Sequence, residues 1–110
     1  MYNRNRETVI GVISLLYEWS ESFEWDTEKD KLNYAKHKIH FQTAAVVFDD
    51  ENRIEWYDAA HSIEEDRYNT IGMVHDVLFV VYTERRERIR LISARLATPE
   101  ERRLYRDSNL

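Results

Sequence analysis

The 110-residue chain confines its reactive side chains to a few types. Between Thr83 and Arg106 stand eight Arg and four Glu, a local charge of +4 without a Lys, in a protein whose net charge is −5. Arg, more than Lys, grips a phosphate through two parallel N–H donors. Arg95 and Arg67 are the candidates for that task. His37, next to Lys36, carries an imidazole that changes charge near neutrality and so can take up or release a proton; His61 carries a second, and Glu65 lies two residues before Arg67. These types suit phosphate binding with proton transfer beside it.

Each candidate also has a plainer reading. Arg95 can pair with Glu101, Glu65-Asp66-Arg67 can be a solvated charge cluster, and a His near a turn can be a capping or solvated residue. Arg85, Arg86, Arg88 and Arg90 form an electropositive hairpin able to follow an RNA backbone, with Tyr82 available for base stacking. The same hairpin can instead be a charged edge that protects a strand from aggregation.

Other chemistries find little support. No Cys is present, so disulfides and thiolate metal sites are excluded. His37 and His40 sit at i, i+3, but no HExxH or EF-hand spacing completes a ligand set, and no metal is expected. Two Gly in all, with neither GxxxxGK[ST] nor GxGxxG, leave no loop to cradle a nucleotide, and no cofactor is expected.

The elements that must position these residues follow from periodicity. Asp26-Thr27-Glu28 provides an N-cap and first-turn acid for a helix over 27–38, with Leu32, Ala35 and Ile39 on its apolar face and Lys29, Asn33, Lys36 and His40 on a polar stripe. Phe41, Ala44, Ala45 and Phe48 predict a second short helix buried on one face. The period then falls to two, predicting strands at 54–57, 65–72, 77–83 and 88–95. Thr98-Pro99-Glu100-Glu101 is a capping box with Pro at N1, opening a last helix to Asp107. The order α-α-β-β-β-β-α describes one α+β domain: two N-terminal helices, a four-stranded, mainly antiparallel sheet and a C-terminal helix. It occupies residues 23–110.

Residues 1–22 are read as an N-terminal extension. Arg4 and Arg6 before Val9–Tyr17, part of the uncharged run Thr8–Tyr17, and then Ser20-Glu21-Ser22 loosely copy a signal peptide, but Trp19 interrupts the small residues. A short apolar strand or helix docked on the domain is the preferred reading, and an over-long translation start another. The run is about half the ~20 apolar residues of a bilayer-spanning helix, so no membrane role is expected, and the cytoplasm is the expected location.

Several segments together resemble the BrnT family of toxins: FEWD at 23–26, NYAKH at 33–37, FQTAAVVFDD at 41–50, Asp58, His61, Ser62, Glu65 and Arg67, and VVYTERRERIRLISARLATPEERRLY at 80–105. The resemblance spans about residues 23–106. It implies a RelE-like fold and a ribonuclease that inhibits translation. Its implied partner is a BrnA-type antitoxin in a 2:2 heterotetramer, with DNA contacted only through the antitoxin. Metal-free RNA cleavage requires a base for the 2′-hydroxyl, cations on the phosphorane and an acid for the departing 5′-oxygen, leaving a 2′,3′-cyclic phosphate. The expected catalytic set is Lys36, His37, Glu65, Arg67 and Arg95, with Tyr82, Arg85, Arg86, Arg88 and Arg90 binding RNA. The rival expectation is a decayed, non-catalytic toxin that acts as a binding module and co-repressor with its antitoxin.

Overall fold

A computed structural model of the protein describes residues 6–9 and 22–110. The elements are β1 (Arg6–Val9), β2 (Ser22–Asp26), α1 (Thr27–His37), α2 (Phe41–Ala44), β3 (Ile54–Tyr57), β4 (Tyr68–Val74), β5 (Asp76–Arg85), β6 (Arg88–Leu96) and α3 (Pro99–Asp107). The strands form one sheet in the order β1-β2-β6-β5-β4-β3, antiparallel throughout except where β2 runs parallel to β6. Among the described residues the sheet is therefore six-stranded and mixed, rather than four-stranded. Both added strands come from the N-terminal side: Phe23 and Trp25 point to the core and Glu24 away from it, a period-two pattern too short to stand out in the sequence. The docked element expected within 9–17 lies outside the described residues, Val9 excepted.

The helices also depart from expectation. α1 begins as predicted, with the Asp26 carboxylate accepting from the Glu28 and Lys29 N–H groups, and ends where Lys38 turns left-handed at φ 62°. Its expected apolar face does not face the core, since Leu32 is 67% exposed and Ala35 is exposed too. Asn33, expected on the polar stripe, is instead the helix's buried residue. Its Nδ2 donates to the carbonyls of Ile39 (2.8 Å) and Ala94 (2.9 Å), and its Oδ1 accepts from the Ala94 N–H (3.1 Å). The amide thus takes the place of a strand partner on β6 where β2 has ended. Among the residues expected to be inward, Ile39 is buried just beyond the helix.

The second predicted helix is one α-turn, α2, continued by a 3-10 segment, Ala45–Asp49. The tighter winding eclipses side chains at i and i+3, so Ala44 with Val47 and Ala45 with Phe48 all face inward, next to Phe41. Against them the sheet presents Phe23, Trp25, Leu78, Val80, Tyr82 and Leu91. Phe48 meets Phe23 at 5.4 Å and Tyr82 edge-on at 5.1 Å between ring centroids.

The sheet's opposite face is only partly covered. α3 opens with the predicted capping box, complete in both directions, and Tyr105 packs with Ile71, Val77 and Ala97 at one end of this face. Among the described residues no further helix is packed on the rest of this face, and a β-bulge determines what it displays. Val81 pairs with Ser93 but Tyr82 with Leu91, leaving Ile92 as the extra residue. Plain alternation along β6 would set Arg95 opposite to Arg88 and Arg90; the bulge brings all three onto the open face. The β5–β6 hairpin turns through Arg86 and Glu87, at φ 53° and 68°, as a two-residue turn of this kind demands.

Candidate functional site

The open face carries aligned rungs across the sheet. Trp56, Asn69, Val81 and Ser93 form one, and Ile54, Ile71, Phe79 and Arg95 the next. Above the floor made by Asn69, Val81, Phe79 and Ser93 lies a depression of about 350 Å³, bounded by Arg95 from β6 and by Asp58, His61 and Arg67 from the segments flanking the β3–β4 connection.

That connection is held by its own polar side chains. The Asp58 N–H donates to the Arg67 carbonyl (2.9 Å), and the Ser62 hydroxyl donates to the Asp58 carbonyl (2.6 Å) while accepting from the Arg67 N–H (2.8 Å). The Asp58 carboxylate caps a 3-10 turn, Ala59–His61, and lies 2.9 Å from His61 Nδ1. Burial works against ionisation of Asp58, but the His61 ring and N–H, together with the Asn69 amide, outweigh it and hold the carboxyl below its ordinary range. A carboxylate only accepts, so Nδ1 carries a proton, and in the neutral ring Nε2 is the nitrogen with the lone pair. The ring is 72% exposed at the mouth of the depression.

Arg95 is fixed from two sides. Its Nη1 and Nη2 lie 2.8 and 3.0 Å from the two Glu101 carboxylate oxygens, and its Cζ sits 4.2 Å above the Phe79 ring centre. The ion pair raised as its plainer reading is therefore present, and it leaves the guanidinium on the rim. Arg67 is held more loosely, 3.8 Å from Glu65, with each side chain about one-third exposed. Both residues precede β4, which starts at Tyr68 and not at 65 as expected, because Ser62 engages the Arg67 backbone before the strand begins.

The remaining catalytic candidates border neighbouring depressions. Glu65 lines one of about 300 Å³ that shares His61 and Arg67 with the first. Lys36 and His37, in the last turn of α1, line another of about 240 Å³ with Asn33 and Ile92, and it shares Ser93 with the first. The first depression thus adjoins each of the other two along shared lining residues, and the three together make up a shallow trough. His40, its neighbour in the i, i+3 pair, is turned elsewhere: Nδ1 lies 3.2 Å from Asp30 and the ring stacks on Tyr34 at 4.1 Å.

The RNA-binding candidates divide. Tyr82 cannot serve as a stacking platform, because it is 4% exposed on the core face, stacked on Tyr68, with its hydroxyl donating to Glu55 (2.8 Å). Burial and that hydrogen bond raise its pKa. A tyrosine at an even position of β5 points inward with Leu78 and Val80, which alternation alone predicts. Arg90 and Arg88 lie 3.3 and 3.7 Å from Glu24, a carboxylate in a residue only 4% exposed, so part of the hairpin's charge is compensated internally. Arg85 and Arg86 are exposed at its tip. The sequence assigns no role to Asp58, Asn69 or Phe79; the only signal is the spacing of Asp58 three residues before His61.

No curated protein matches the chain. A family model described as ribonuclease toxin, BrnT, of type II toxin-antitoxin system matches residues 25–101, a stretch holding β3 to β6, both His of the trough, and Glu65, Arg67 and Arg95. That match covers well over half the chain, and the protein therefore belongs to the BrnT family of ribonuclease toxins.

Proposed function

We propose that the trough on the open sheet face is the cleavage site of a metal-independent endoribonuclease. The observation that supports this reading is adjacency: Glu65, Arg67, Arg95, Lys36 and His37 line three depressions, of which the central one shares His61 and Arg67 with one neighbour and Ser93 with the other. A scissile phosphate at its centre meets the guanidiniums of Arg67 and Arg95, whose charge matches the extra negative charge of the phosphorane. His61, with Nε2 unprotonated and Asp58 behind it, takes the proton of the 2′-hydroxyl. His37, with Lys36 beside it, protonates the departing 5′-oxygen from the α1 side. Glu65 keeps Arg67 turned to the trough. The 2′-oxygen bonds to phosphorus as the P–O5′ bond breaks, giving a 2′,3′-cyclic phosphate and a 5′-hydroxyl.

The partner in this reading is a BrnA-like antitoxin in a 2:2 heterotetramer that carries the DNA contacts, and the setting is the cytoplasm. A second reading is favoured by one observation, that Arg88, Arg90 and Arg95 already face internal carboxylates. In it the chain is a non-catalytic toxin that pairs with its antitoxin as a co-repressor. Incubation with end-labelled RNA in EDTA, beside Arg95→Ala, separates the two. Cyclic-phosphate ends that vanish in the variant support the nuclease; no cleavage and no growth arrest on expression support the co-repressor.

A further inference from the structure

With Tyr82 in the core, the trough needs another aromatic surface if a nucleobase is to stack beside the cleaved phosphate. Trp56 is on the correct face. It occupies the same rung as Asn69, Val81 and Ser93, three residues of the trough floor, and it lies on β3, the outermost strand at that edge of the sheet. Its ring meets Phe79 edge-on at 6.0 Å, and Phe79 carries the Arg95 guanidinium 4.2 Å above its own ring. Trp56 is 38% exposed, whereas Trp25 is buried. Aromatic surface and cationic fork are therefore linked through a single ring, the combination that single-stranded nucleic acid requires: a flat apolar platform for a base and a positive group for its phosphate.

We infer that Trp56 stacks the base of the nucleotide next to the scissile phosphate and so sets substrate affinity, an inference that rests on the ribonuclease reading above. A single-stranded base fits this surface better than a protein segment does, because the ring continues a strip made of Asn69, Ser93 and Arg95, polar groups suited to ribose and phosphate. As a positioning residue outside the proton-transfer set, Trp56 should affect binding more than turnover.

The test uses the full chain, a cleavable RNA, its 2′-O-methyl analogue and a version with an abasic site beside the cleaved bond. Trp56→Ala should raise KM for RNA, and Kd for the analogue, by ~10-fold or more with kcat nearly unchanged, a size typical of losing one stacked base. Trp56→Phe, which keeps an aromatic surface and guards against a folding defect in the alanine variant, should recover most of that loss. On abasic RNA the two variants and the parent should converge. Unchanged KM in Trp56→Ala, while the parent cleaves normally, overturns the inference and leaves the nuclease reading standing. So does an equal loss on abasic and intact RNA, which indicates a structural role, or a loss confined to antitoxin binding. A parent chain that neither binds nor cleaves RNA overturns both.

Discussion

Arg95 and Glu101 form a bidentate pair across the junction of β6 and α3, and Glu101 is also the acid of the α3 capping box, its Oε1 accepting from the Thr98 N–H at 2.9 Å. One carboxylate thus starts the helix and aims the guanidinium. Hydrogen bonds from Arg95, set against burial and aided by Thr98, keep Glu101 ionised to lower pH than usual. Arg95→Ala is expected to lower kcat/KM on RNA by ~100-fold or more, the usual cost of losing one charge-stabilising donor. Glu101→Gln should lower it less, and should cost only about 1 kcal/mol of stability because the pair is partly solvated. Cleavage rates and thermal melts of both variants check this; equal activity losses would show that Glu101 does more than aim Arg95.

Asp58 and His61 make a second prediction. If the carboxylate fixes the imidazole tautomer, Asp58→Asn should reduce kcat by roughly 10- to 100-fold with little change in KM. Adding His61→Ala to Asp58→Asn should cost much less than His61→Ala alone, since groups that act as a unit are not additive. Single-turnover kinetics on the two single variants and the double variant measure the coupling. Full additivity would separate the two residues and leave His61 a solvated turn residue.

Local rules located most of the framework. The Thr98 capping box, the Asp26 N-cap, the inward faces of Phe41, Ala44, Ala45 and Phe48, and the β5–β6 hairpin could all be read from spacing, because the forces that set them act within a few residues. What escaped depends on long-range pairing. β2 becomes a strand through its parallel partner β6, and Asn33 is buried because Ala94, 61 residues away, needs a donor and an acceptor. The bulge at Ile92 is invisible to a period-two count, yet it decides which face Arg95 shares. In the trough, residue types alone picked out several His and Arg side chains that line it, while Asp58's orienting contact required the fold.

Asn33 gives a test of that long-range linkage. Its three hydrogen bonds join α1, Ile39 two positions beyond the helix and the stretch of β6 at Ala94, all in a buried setting. Asn33→Ala leaves two carbonyls and one N–H unsatisfied and should destabilise the fold by about 2–3 kcal/mol. Asn33→Asp should be worse still, because a carboxylate would face the Ile39 and Ala94 carbonyls without a proton to offer. Urea unfolding of the three proteins orders them; an aspartate variant as stable as the parent would show that the amide's donor side contributes nothing.

Asp50 and Tyr105 predict how stability depends on pH. The Tyr105 hydroxyl donates to Asp50 Oδ2 at 2.6 Å, joined there by the Met73 N–H at 2.8 Å, while Oδ1 accepts from the Asn52 N–H. Burial raises the Asp50 pKa, but these hydrogen bonds and Arg53 outweigh it, so the carboxyl lies below its ordinary 3.8. Its contribution is therefore complete above that value and is lost as pH falls through the lower folded value. Burial and the Asp50 hydrogen bond push Tyr105 the other way, from 10.0 up to about 12. A raised phenol stabilises fully below 10.0, and that contribution disappears as pH rises toward the folded value. Tyr105→Phe should thus cost about 1 kcal/mol near neutrality, a typical hydrogen bond. The gap between parent and variant should narrow at both extremes, since the bond needs a protonated phenol and an ionised carboxyl. Tyr68 and Tyr82, also raised, are present in both proteins and cancel in the difference. Denaturant unfolding from pH 3 to 11 measures it, and a gap independent of pH would show that Tyr105 holds α3 by packing against Ile71 and Ala97 alone.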